Sequence, residues 1–67
     1  MNEMKIMLND DFISWKAGLY NLQGGLVLSK LVESDILVFE VPSLPPGIYI
    51  VVLSRGEKRR IVKMIKP

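Results

Sequence analysis

The sequence contains neither cysteine nor histidine. It therefore lacks the residues for a disulfide, a thiolate nucleophile, an imidazole base or a zinc site built from nitrogen and sulfur ligands. Its acidic residues fall mostly in predicted turns, where solvated carboxylates are the simplest interpretation, and no nucleophile has a base beside it. We predict no catalytic residues, no metal site and no cofactor, and we do not expect an enzyme.

Long hydrophobic runs are also missing. The most apolar region, residues 36–54, is interrupted by Glu40, Pro42 and the sequence Pro45-Pro46-Gly47. No helix of roughly 20 apolar residues can therefore span a membrane. The first apolar stretch meets two aspartates too early for a secretory signal, so we expect no signal peptide in this chain.

A chain of 67 residues has room for one domain, which we place at residues 1–67. Hydrophobic residues make up 49% of it, and many are β-branched, which favours strands over helices. Turn-forming residues separate short apolar segments. The pattern predicts an all-β fold, a small antiparallel, immunoglobulin-like β-sandwich of five or six short strands.

The apolar segments predict where these strands lie. The strand at 48–53 is apolar throughout, so we expect it to be central and covered on both faces. The last strand carries lysines and arginines, which discourage pairing with foreign strands, so we expect it at an edge. The pattern of residues 17–32 predicts a β-hairpin. The predicted strands are 4–8, 15–22, 26–32, 36–41, 48–53 and 58–66.

Two local features can be predicted more closely. Gly47 follows Pro46 and is expected to adopt a positive φ in a type II turn. Alternation along two apolar strands predicts one shared core face, with Val41 on the same side. The residues of that predicted face are Leu37, Phe39, Ile50 and Val52.

Positive charge is concentrated at the end of the chain, although the formal net charge is only +2. Along a strand, Lys58 and Arg60 share one face while Arg59 and Lys63 share the other. The charge is therefore split between two faces and forms no single stripe suited to a nucleic-acid groove.

Three stretches together resemble one family. They are residues 19–24 followed by Leu26-Val27, residues 41–51, and the lysine-bearing end 63–66. In order and spacing they make residues 19–66 similar to the C-terminal sorting domain of proteins exported by the type IX (Por) secretion system of Bacteroidetes. Residues 1–18 lack the asparagine–proline motif of that family and form an atypical N-terminal segment. The motif residues, each with a structural role in turns or core, are Gly24, Leu44, Pro46, Gly47 and Tyr49.

The resemblance implies a role. Such domains are read by outer-membrane export machinery once the cargo is in the periplasm, and a sortase-like peptidase commonly removes them during surface attachment. The protein would then pass from the periplasm to the cell surface or medium as part of a larger protein, associated with the outer membrane without spanning it and with no nucleic-acid partner. The implied partner-recognition residues lie on the terminal strand: Arg59, Arg60, Lys63 and Lys66.

Two other functions stay open. A structural or adhesive β module of a surface protein could bind carbohydrate or another subunit, and a patch of exposed aromatics would favour it. A small basic barrel could bind nucleic acid, with an affinity that falls as salt rises.

We also predict a homodimer. The apolar content exceeds what one small sheet pair readily buries, and uncovered apolar surface favours association. The predicted interface is residues 4–15, with the charged terminal strand outside the contact.

Overall fold

The computed structural model describes residues 3–40 and 44–66 and confirms an all-β fold. Six strands form two antiparallel sheets packed as a small sandwich. A single turn of 3-10 helix, Asp10–Phe12, follows the first strand. The predicted end of the fourth strand at Val41 and its stop at Pro42 lie outside the described residues. The strands are β1 (Glu3–Met7), β2 (Lys16–Tyr20), β3 (Leu26–Leu31), β4 (Ile36–Glu40), β5 (Gly47–Arg55) and β6 (Lys58–Lys66).

The sheets differ in size. β1 and β4 pair alone and form the small sheet. The other four strands form the large sheet, in the order β3-β2-β5-β6. This order confirms that the strand after Pro46 is central and that the terminal strand lies at an edge.

Turn residues explain the two tight hairpins of the large sheet. Between β2 and β3, Gly24 has a φ of +88°, and Asn21 Oδ1 accepts a hydrogen bond from the Gly25 amide at 2.8 Å. Between β5 and β6, Gly56 has a φ of +60°. Glycine adopts these conformations without a Cβ penalty, which is why the chain reverses at these points.

The core lies between the sheets, and buried residues alternate with exposed or half-buried ones along β1, β4 and β5. Met4 and Ile6 of β1 and Leu37 and Phe39 of β4 are buried against the large sheet. Alternate residues face opposite sides of a strand, so one side of every core strand supplies these contacts. The large sheet contributes Ala17, Leu19, Tyr49, Val51 and Leu53, and Val32 follows β3.

The predicted core face is half wrong. Leu37 and Phe39 are buried as expected, but Ile50 and Val52 are only half-buried. On β5 the odd-numbered residues face the small sheet, so Ile50 and Val52 point to the opposite side of the large sheet. The small sheet covers one face of β5, and nothing else among residues 3–40 and 44–66 covers the other. The expectation that this strand is covered on both faces is therefore wrong.

The N-terminal segment is packed on the protein's own core. Met4 and Ile6 are buried, and the rings of Phe12 and Trp15 meet edge to face at 4.8 Å between centroids and pack against the core. Much of the segment predicted to form a dimer interface is therefore packed within the chain, although Met7 and Ile13 stay exposed. The homodimer itself stays a prediction.

The two long sides of the sandwich are closed differently. On one side, Lys30 of β3 donates from Nζ to the backbone oxygen of Val38 in β4 at 3.0 Å, which links the two sheets. On the other side, β6 forms the opposite edge of the large sheet. β3 and β6 are thus the two edge strands of the large sheet, and the predicted recognition residues lie on β6.

Candidate functional site

The terminal strand β6 is the most basic element of the molecule. Five of its nine residues are lysine or arginine and none is acidic. It pairs along its whole length with β5, from Gly47 opposite Lys66 to Arg55 opposite Lys58. Because β5 occupies only one side of it, the other edge offers unpaired backbone groups to solvent.

The cations of β6 divide between its two faces, as alternation predicted. Arg59 lies opposite Ser54, and Lys63 lies opposite Ile50. Ser54 and Ile50 are even-numbered residues of β5, and the even-numbered residues of this strand face away from the core. Arg59 and Lys63 therefore lie on the outer face of the large sheet, the face turned away from the small sheet.

Arg60 and Lys66 lie on the core side and make contacts within the molecule. Lys66 donates from Nζ to the backbone oxygen of Leu44 at 2.7 Å, and it is half-buried. The Arg60 guanidinium carbon is 6.0 Å from the centre of the Phe12 ring, the outer limit of a cation–π contact. The four predicted recognition residues thus form two pairs with different surroundings.

The predicted motif residues gather where Lys66 is anchored. Tyr49 is buried, and its hydroxyl donates to the backbone oxygen of Pro45 at 2.6 Å. Leu44 is half-buried against the core, and Pro46 is exposed in a bend. The side chains and backbone of residues 44–49 thus hold the start of β5 and the end of β6 together.

The conformation of Gly47 confirms one prediction and corrects another. Its φ is positive, as expected, but the value of +151° is far from the +80° or so of a type II turn. Gly47 is already the first residue of β5. Gly47 therefore begins the strand with a positive φ, which glycine adopts without the penalty of a Cβ.

Aliphatic side chains surround Arg59 and Lys63 on the outer face. Ile61 and Ile65 alternate with them along β6 and are 67% and 69% exposed. Sequence reasoning missed this surface because it treated the apolar strand β5 as covered on both faces. The alternation of cation and isoleucine in β6 was the available signal. The other large exposed side chains of this face are Leu26, Leu31 and Ile48.

Charge is segregated between the two sheets. The large sheet contains eight of the nine lysines and arginines of the chain and no acidic residue. The small sheet contains Glu3 and Glu40, and Lys5 pairs with Glu3 at 3.7 Å. The large sheet is thus a positively charged surface with no carboxylate of its own.

The surface has several open hollows. One of about 290 Å³ lies between the β2–β3 turn and residues 44–49, and Tyr49 is its only titratable residue. Another, of about 800 Å³, is lined by charged and aromatic side chains: Asp11, Trp15, Arg55 and Lys58. Among the described residues, no group of three or more carboxylates is placed to hold a metal ion, and no helix has the length and apolarity to cross a membrane. Of the five aromatic side chains, Phe39 and Tyr49 are buried and the other three are half-buried. The structure therefore gives no support for the exposed aromatic patch that would favour carbohydrate binding.

These features define a class of protein. The molecule is a small β-sandwich whose accessible chemistry is a basic edge strand and an aliphatic sheet face, which is typical of a module recognised by another protein.

Comparison with known proteins names the family. The family model described as "Secretion system C-terminal sorting domain" matches residues 1–67. The chain therefore belongs to this family of type IX secretion sorting domains, and the match includes residues 1–18 as well as the stretch that carries the resemblance. No curated protein and no solved structure matches the chain.

Membership fixes the broad role. The family is a secretion sorting signal and not a catalytic domain. It implies a secreted or cell-surface protein that interacts with the secretion machinery.

Proposed function

We propose that this domain is a C-terminal sorting signal read by the outer-membrane export machinery of the type IX system, and that the machinery contacts β6. The observation that supports this most directly is the basic edge strand of a chain that belongs to the sorting family. An exposed edge with one sign of charge favours a protein contact that combines backbone pairing with charge complementarity.

Arg59 and Lys63 are the residues that we assign to the contact. Both are exposed on the outer face of the large sheet. Arg60 and Lys66 have internal partners in Phe12 and in the backbone of Leu44. Their role in the proposal is to hold β6 in place so that the outer pair is presented in a fixed geometry.

A secretion reporter tests the proposal. The whole chain is fused behind a periplasm-directed reporter in a bacterium that has a type IX system, and the reporter is measured in the periplasm, at the cell surface and in the medium. We expect export of the wild-type fusion. The double variant Arg59→Glu, Lys63→Glu should leave the reporter in the periplasm, because both charges that meet the partner are reversed.

The matched control makes the same change in charge elsewhere. Lys5 is exposed on the small sheet, and Arg55 is exposed at the end of β5. The double variant Lys5→Glu, Arg55→Glu should be exported like the wild type. A wild-type fusion that stays in the periplasm would refute the sorting function. Normal export of the Arg59, Lys63 variant would refute the assignment of the contact.

A further inference from the structure

The outer face of the large sheet extends well beyond the terminal strand. The registers of the four strands place its residues in cross-strand rows. The row at one end contains Leu31, Lys16, Ser54 and Arg59, and the next contains Ser29, Gly18, Val52 and Ile61. The following row contains Leu26, Tyr20, Ile50 and Lys63, and Ile48 pairs with Ile65 beyond it.

This face has the composition of a surface that packs against protein. Aliphatic side chains occur in each of its rows, and Tyr20 lies over Gly18, where an added Cβ would be 3.0 Å from the ring. Five of the aliphatic side chains on this face are more than one third exposed: Leu26, Leu31, Ile48, Ile61 and Ile65. Monomeric soluble proteins rarely leave an apolar patch of this kind uncovered unless it binds something.

The charges of the face indicate what covers it. Lys16, Arg59 and Lys63 border the aliphatic rows, and no strand of the large sheet contributes an acidic residue. Burying these cations against a surface without carboxylates would be costly. The complementary surface must therefore be both aliphatic and acidic.

We infer that the whole outer face, across β2, β3, β5 and β6, binds a protein surface that is aliphatic at its centre and carries carboxylates opposite Lys16, Arg59 and Lys63. This inference rests on the proposed function, since the partner is the export component that reads β6. It adds that the contact crosses the full sheet, and it defines the chemistry of the partner.

Two other occupants fit the face less well. A symmetric contact between the outer faces of two copies would bring the same cations together with no carboxylate from either sheet, so the two faces would repel each other. A lipid surface matches the charge, but Lys63 shares a row with Ile50, so burying the aliphatic side chains in hydrocarbon would bury a cation as well. An acidic protein surface with an aliphatic centre satisfies both the charges and the apolar side chains.

The decisive variants lie outside β6. In the secretion reporter, Leu26→Glu on β3 and Lys16→Glu on β2 should each reduce export by about tenfold or more, since each places a carboxylate against the acidic partner. The controls are Met7→Glu and Lys5→Glu on the small sheet, where Met7 is 82% exposed. Both controls should be exported normally.

Conservative variants separate recognition from folding. Lys16→Arg keeps the positive charge and should be exported like the wild type. Lys16→Gln removes the charge and should be exported less. Circular dichroism melts of the purified chains should show that Leu26→Glu and Lys16→Glu fold like the wild type. One pattern of results would overturn the inference and leave the proposed function standing. In it, the wild-type fusion is exported and the double variant Arg59→Glu, Lys63→Glu is not. The single variants Leu26→Glu and Lys16→Glu are both exported normally. If the wild-type fusion is not exported, the proposed function fails first.

Two measurements on the purified chain test the rival occupants. Sedimentation at micromolar concentrations tests for a dimer formed through this face. We expect none, so Leu26→Glu should leave the oligomeric state of the chain unchanged. Vesicles of phosphatidylcholine with phosphatidylglycerol should not bind the chain through this face. A dimer or a vesicle complex that the wild type forms and Leu26→Glu loses would overturn the inference, because the face would then belong to that occupant.

Discussion

Neighbouring residues of β5 have the same chemistry and opposite surroundings. Tyr49, Val51 and Leu53 are almost completely buried, and Val51 and Leu53 have no exposed surface at all. Ile48 is exposed, and the next even-numbered residues are only half-buried. The difference comes from the small sheet, which covers one face of the large sheet and leaves the other open. One apolar strand therefore serves the core with one face and is available to a partner with the other.

The largest loss of stability should come from a substitution in the small sheet, which covers the core face of the large one. Phe39 of β4 is fully buried between the sheets, so Phe39→Ala should cost about 3 to 5 kcal/mol of unfolding free energy through lost contacts and a cavity. That is a large part of the stability of a small domain. Urea unfolding followed by circular dichroism measures it. The control, Val38→Ala, changes a half-buried residue on the same strand and should cost about 1 kcal/mol or less.

Equal losses in the two variants would contradict the alternation assigned to β4.

A matched pair on β5 tests the comparison directly. Val51 is fully buried and Val52 is half-buried, and the same substitution by alanine removes the same two methyl groups from each. We expect Val51→Ala to lower the free energy of unfolding by about 2 kcal/mol and Val52→Ala by about 1 kcal/mol or less. Chemical denaturation of both variants gives the difference. A larger loss at Val52 would mean that the outer face is covered within the chain.

A backbone change at the start of β5 should have a smaller effect. Gly47 has a φ of +151°, and no heavy atom lies within 4 Å of the position that a Cβ would take. Gly47→Ala is therefore opposed by backbone strain and not by crowding, and it should cost about 1 kcal/mol. The shift of the thermal midpoint measures this cost. An unchanged midpoint would show that the strand can begin without a positive φ at this position.

The smallest effect should come from the outer face. Ile61 and Ile65 are mostly exposed, so Ile61→Thr and Ile65→Thr should each change stability by no more than about 0.5 kcal/mol. Val62 lies between them, is half-buried and packs against the core, so Val62→Thr should cost about 1 kcal/mol or more because it buries a hydroxyl. Thermal melts of the three variants measure these differences in stability. A stability loss at Ile61 as large as at Val62 would refute the view that this face is free in the folded chain.

Much of the fold could be predicted from residue patterns along the chain. The six strands lie close to their predicted positions because β-branched runs and turn residues act locally. The edge position of β6 followed from its cations, and the positive φ of Gly47 followed from its place after two prolines. The split of Arg59 and Lys63 from Lys58 and Arg60 followed from the period of two along a strand.

The assignment of faces could not be predicted in the same way. Ile50 and Val52 are as apolar as Val51 and Leu53, so no pattern within β5 says which set is buried. The answer depends on where β1 and β4 pack, which is a contact between residues far apart in sequence. The sequence by itself determined the strands, the hairpins and the concentration of positive charge at the end. Only the tertiary structure decided that Lys66 and Arg60 lie on the core side of β6, and that the described residues leave an aliphatic face with unopposed cations open, because the small sheet covers only one side of the large one.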